Sequence, residues 1–118
     1  MDRKVFVEQM EKCEPMSKES IMKVLVDSIN ANISDGNPRG HRNLIIVTEE
    51  LAELAKEVSK ELRGKGDIVS LTEELADVQL GIYYVQEIVG IEDENLKKAM
   101  SVKTNRLSSV LYDTGSYK

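Results

Sequence analysis

The sequence predicts an all-α protein, a bundle of four to five helices. Three observations lead there. Helix formers (Glu, Lys, Leu, Met and Ala) dominate, and the only prolines are Pro15 and Pro38. Apolar residues recur at steps of three and four along most of the chain. Alternation at period two never lasts, and the apolar run IIV at 45–47 lies inside a longer helical period.

Each element has its own signals. Residues 2–13 form a short helix, with Asp2 placed to cap it and Val5, Phe6, Gln9 and Met10 along one side. Ser17 starts a second helix, whose stripe of Ile21, Val24 or Leu25, Ser28 and Ile29 fails at the polar loop NISDGNPRG, 32–40. Leu44, Val47, Leu51, Leu54, Val58 and Leu62 mark an amphipathic helix over about 41–63. RGKGD at 63–67 ends it. Ser70 and Glu73 have the spacing of a capping box, and Leu71, Leu75, Val78, Ile82, Val85 and Val89 carry a fourth helix to Gly90. Asp93 caps a last helix with a stripe of Leu96, Met100, Lys103, Leu107 and Val110 or Leu111. Helices this short leave apolar surface open in a monomer, so the bundle is expected to be completed by homo-oligomerisation, as a homodimer or homotetramer.

The 118 residues suit a single domain, 1–118, with a flexible tail from about 112 to 118. A content of 41% hydrophobic and 31% charged residues is too apolar for a chain that stays disordered. The net charge of −5 argues against general affinity for nucleic acid or an anionic membrane. No apolar run reaches the roughly 18 residues of a spanning helix, and residues 1–15 lack the apolar core of a signal peptide, so the expected location is cytoplasmic. One Cys and one His exclude a thiolate zinc site, and any metal must be held by oxygen.

The chemistry lies in an internal echo. Residues 48–53 read TEELAE and residues 72–77 read TEELAD, a spacing of 24. At about 100° per residue, Glu50 and Glu53 fall about 80° to 140° to one side of their helix's apolar stripe, and Glu74 and Asp77 fall at the same offset from theirs. Glu49 and Glu73 point outward. Packed antiparallel as a helical hairpin, the two helices would bring Glu50, Glu53, Glu74 and Asp77 to one margin of the core. Four carboxylates gathered there must take up protons, find cations or bind a multivalent ion, and Mg²⁺ suits an all-carboxylate set, with Mn²⁺ as the alternative. Either pair alone is the ordinary pattern of a solvated helix face; two pairs at matching offsets are more specific.

The segment TEELAELAKEVSKELRGKGDIVSLTEELADVQLGI, 48–82, resembles the core of the MazG-type all-α nucleoside triphosphate pyrophosphohydrolases, in which an E-E-x-x-E helix precedes an E-x-x-D helix. Here these are Glu49, Glu50 and Glu53, then Glu74 and Asp77, with 20 residues between Glu53 and Glu74. The resemblance is strong over the middle third and looser in the flanks. It implies Mg²⁺-dependent cleavage of a (deoxy)nucleoside triphosphate between the α and β phosphates, giving monophosphate and pyrophosphate. It also implies that Glu50, Glu53, Glu74 and Asp77 hold the metal, in a helical dimer or dimer of dimers.

Such hydrolysis needs a positioned water, a neutralised triphosphate and a stabilised pyrophosphate leaving group. Glu53 acting through water is the candidate base. Lys103 breaks an apolar stripe and Arg106 lies about 60° away on the same side, which ranks them first for phosphate contact. Arg63 borders the interhelical loop, and Asn43 stands two turns before Glu50 on the same face, within reach of sugar or base. Tyr83 and Tyr84 are candidates either for base stacking or for an interface. RGKGD lacks the spacing of a P-loop and is preceded by no strand. Two other readings compete: a phosphoribosyl-ATP-type pyrophosphohydrolase sharing the carboxylate scheme, and a non-catalytic helical interaction module with solvated acidic faces.

Overall fold

The structure, a computed structural model, describes residues 2–36 and 41–113. Its regular structure is α-helical, with no strand among the described residues. The helices are α1 (Arg3–Lys12), α2 (Lys18–Ser34), α3 (His41–Leu62), α4 (Ile68–Val89) and α5 (Asp93–Asp113). Two compact units are formed, Met1–Ile88 and Val89–Lys118. No helix among the described residues is long and apolar enough to cross a membrane.

Helix starts are set by local chemistry. The Asp2 carboxylate accepts from the backbone N–H of Lys4 at 2.8 Å, and Ser17 Oγ accepts from that of Ser20 at 3.1 Å, each satisfying a donor the first turn leaves unpaired. The start of α4 differs from the expected Ser70–Glu73 box. Asp67 caps it, accepting from Val69 N–H and Ser70 Oγ, both at 3.1 Å, because an aspartate three residues earlier reaches the first free donors before Ser70 can. Asp67 also takes the Arg3 guanidinium at 2.9 Å, which ties α1 to the head of α4. At the other end, α5 begins at Asp93 itself, whose carboxylate pairs with Lys97 one turn on at 3.4 Å.

Helix ends are equally local. Gly64, at φ 73°, closes α3: its N–H bonds the Glu61 carbonyl and the Lys65 N–H reaches back to Lys60, a paired closure that needs a left-handed residue. Two boundaries run past expectation. The second helix continues to Ser34, so 32–34 of the expected loop are helical, and residues 37–40 lie outside the described residues. The last helix runs to Asp113, so residues 112 and 113 of the expected tail are helical, while 114–118 lie outside the described residues.

In the first unit the buried apolar side chains are Leu25 and Ile29 of α2, Val47 of α3 and Val78 of α4. Of the alternatives Val24 and Leu25, Leu25 faces inward. Helices α3 and α4 approach closely at Gly81, where a Cβ would stand 3.2 Å from one Val47 methyl and 3.3 Å from the other. Each apolar stripe is only half covered. On α4, Leu71, Val78 and Val85 are buried or half-buried while Leu75, Ile82 and Val89 are exposed. On α3, Leu44, Val47 and Leu54 turn in while Leu51, Val58 and Leu62 stand open. On α4 these rows are four residues apart, about 40° around the helix, so an apolar strip runs alongside the covered one.

Candidate acidic metal centre

Helices α3 and α4 hold the acidic residues in antiparallel register. From the Val47–Gly81 contact, one turn along α3 reaches Glu50 and one turn back along α4 reaches Asp77; the next step reaches Glu53 and Glu74. One carboxylate oxygen from each of Glu50, Glu74 and Asp77 lies within 4.8 Å of the other two, and all three residues are half-buried. Glu53 is exposed, and its charge is felt by Glu74. No Lys or Arg among the described residues pairs with these four acids.

The electrostatics result from this crowding. Burial pushes the Glu50 carboxyl from its ordinary 4.5 up to about 7, helped by the negative charge of Asp77, a hydrogen bond shared with it, and the charges of Glu74 and Glu53. Glu74 is raised by burial first, then by Glu53 and Asp77, with a smaller push from Glu73. Glu74 Oε2 is shielded from solvent and meets no donor among the described residues. A buried carboxylate oxygen without a donor is costly, and a hard cation relieves that cost as well as the mutual repulsion. The donor set is all oxygen, as Mg²⁺ or Mn²⁺ prefers.

Asn43, expected near sugar or base, is 2% exposed, with Oδ1 accepting from Asn32 Nδ2 at 2.6 Å and Nδ2 donating to Ser28 Oγ at 3.3 Å. It is engaged within the protein, so touching sugar or base would require this network to open. Arg63 is exposed just beyond the end of α3, its N–H on the Ser59 and Lys60 carbonyls. Lys103 and Arg106 are exposed on α5, in the second unit, where Met100 and Leu107 of the same stripe are also exposed. Tyr84 donates its hydroxyl to Ser28 Oγ at 3.2 Å, and Lys18 Nζ lies 5.2 Å from the Tyr83 ring centroid, so both tyrosines join α4 to α2.

Glu73 corrects an expectation. The helical wheel turns it outward to solvent, yet it is half-buried, because α1 lies over that side of α4. A groove of about 510 Å³ separates the two helices, walled by Phe6, Met10 and Cys13 on one side and by Glu73, Ala76 and Asp77 on the other. Asp77 therefore belongs both to the acidic trio and to this groove. A helical wheel shows the faces of one helix and not what another lays over them, so no signal in 48–82 points to α1. Comparison with protein-family models, with curated proteins and with solved structures finds no match.

Proposed function

We propose that the chain is a MazG-type, Mg²⁺-dependent nucleoside triphosphate pyrophosphohydrolase, cleaving a (deoxy)nucleoside triphosphate to monophosphate and pyrophosphate. The supporting observation is the convergence of Glu50, Glu74 and Asp77 within 4.8 Å, with Glu74 Oε2 buried and unpaired. A generic solvated acidic face gives no reason for that burial.

In this reading Glu50, Glu74 and Asp77 hold the ion and Glu53 borders it. When bound, a divalent cation supplies neutralisation and polarisation at phosphate oxygens. The chain supplies the rest. Glu53, the most exposed of the four acids, is the group positioned to take a proton from an attacking water. Arg63, exposed just past α3, is a candidate phosphate partner, and Lys103 and Arg106, exposed on α5, stay candidates from the sequence alone. The α3–α4 hairpin is the active core, and the open row of Leu51, Val58, Leu75 and Ile82 is covered by a second copy, giving a homodimer or homotetramer. The protein acts in the cytoplasm on free nucleotide.

The test is a panel of ribo- and deoxyribonucleoside triphosphates, with phosphoribosyl-ATP included, assayed for pyrophosphate release with and without Mg²⁺. Release from a triphosphate that stops on chelation and in Glu50→Gln supports this reading. Release from phosphoribosyl-ATP alone favours the related hydrolase. Release from none of them leaves the interaction module as the better account.

A further inference from the structure

We propose that the groove between α1 and α4 receives the nucleobase of the nucleotide whose phosphates engage the acidic trio, and that it favours bases carrying an exocyclic amino group. The inference rests on the proposed function and adds a site for the part of the substrate which that reading leaves unplaced.

Four features of the groove converge on such an occupant. Its volume, about 510 Å³, falls in the range of small-molecule sites. Asp77 lines the groove and also belongs to the trio, so a ligand held at the trio by its phosphates has the groove beside it. Its lining includes the Phe6 ring and the Met10 thioether on α1 and the small Ala76 on α4, groups that can pack against a flat aromatic ring. Its ionisable side chains, apart from the Cys13 thiol, are the carboxylates of Glu73 and Asp77, with no basic residue among its lining. That charge repels phosphate and favours the uncharged end of a nucleotide.

The polar chemistry narrows the class. A carboxylate only accepts, and has about four lone-pair sites, so Glu73 can take an N–H from a base amino group alongside its existing interaction. Gln9, exposed at the groove, offers both an acceptor and donors for the rest of the base edge. Helix α1 spends little of its apolar surface on the core: none of its residues is buried, and Met10 is 51% exposed. It is nevertheless fixed at its head by Arg3 on Asp67. The result is an anchored helix standing off from α4, with its apolar side turned to a space.

Cys13, the sole cysteine, is exposed and lines the groove, which makes it a reporter in the intact chain. The experiment measures its alkylation by iodoacetamide with Mg²⁺ and either inorganic tripolyphosphate or the α,β-methylene analogues of dATP, dCTP, dGTP and dUTP, with binding of each followed by calorimetry. Expected is slower alkylation with analogues of amino-bearing bases, less effect with the dUTP analogue, and none with tripolyphosphate. Gln9→Ala, a change at an exposed residue, should weaken every analogue by about tenfold while leaving tripolyphosphate unchanged, and Phe6→Ala should weaken them at least as much. Nucleotide binding with unaltered Cys13 alkylation, or equal protection by tripolyphosphate, overturns this inference and leaves the proposed function standing. If no analogue binds, the proposed function fails and the inference with it.

Discussion

Asn43 of α3 and Tyr84 of α4 both donate to the hydroxyl oxygen of Ser28, at 3.3 and 3.2 Å, so one α2 side chain bridges the two helices that carry the acidic trio. The bridge stands in the same register as the acids: seven residues separate Asn43 from Glu50 on α3, and seven separate Asp77 from Tyr84 on α4. Two turns from the carboxylates, where repulsion would drive the helices apart, a neutral polar layer holds them together.

Ser28→Ala removes the shared acceptor and leaves Nδ2 of the buried Asn43 without its partner, while Oδ1 keeps Asn32. Stability should fall by about 1–3 kcal/mol, the range for an orphaned polar group, measured by urea denaturation. Loss below a few tenths of a kcal/mol would mean that the bridge is not formed in solution.

Gly81→Leu tests the approach of α3 to α4. The Val47 methyls stand 3.2 and 3.3 Å from the added Cβ, and the rest of a leucine has no space without parting the helices. Overpacking of this kind costs about 1–3 kcal/mol, and the acids on either helix should separate with it. The expected result is a lower denaturation midpoint together with a lost response to Mg²⁺; a stable variant with full Mg²⁺ response would place the helices further apart.

The raised Glu50 carboxyl gives a pH dependence with a definite sign. In the unfolded chain the group titrates near 4.5, and in the metal-free fold near 7. Between those values the folded state holds the extra proton, so its stability is full below about 4.5 and declines as pH rises through about 7. Metal-free protein should therefore melt at a lower temperature at pH 8 than at pH 5. Glu50→Gln, which cannot ionise, should flatten much of that slope. An unchanged slope would assign it to other groups.

Leu75→Glu and Ile82→Glu place charge on the open row of α4. Self-association seen by sedimentation should be lost in both, and their Mg²⁺ response kept if each copy holds its own trio. Association that survives both changes would locate the contact elsewhere.

Much of the helical pattern was legible in the sequence because its signals are local. Asp2 caps α1, Ser17 caps α2 and Gly64 closes α3, all through atoms within a few residues. Asp67 escaped because two capping signals stood three residues apart and the earlier one won. That Asn43 is a buried, engaged amide was not legible, because its partners Asn32 and Ser28 stand on another helix. The shared offset of Glu50, Glu74 and Asp77 came from period alone. Their separation, the exposure of Glu53 and the groove beside Glu73 depend on how helices lie against one another, which periodicity does not encode.

The central claim is that Glu50, Glu74 and Asp77 together bind a divalent cation. Thermal denaturation with increasing Mg²⁺, for the native chain and for Glu50→Gln and Asp77→Asn, tests it most directly. A cation bound only by the folded state should raise the native midpoint by about 5 °C or more at saturation and move either variant far less. The same small response in all three proteins would contradict the claim.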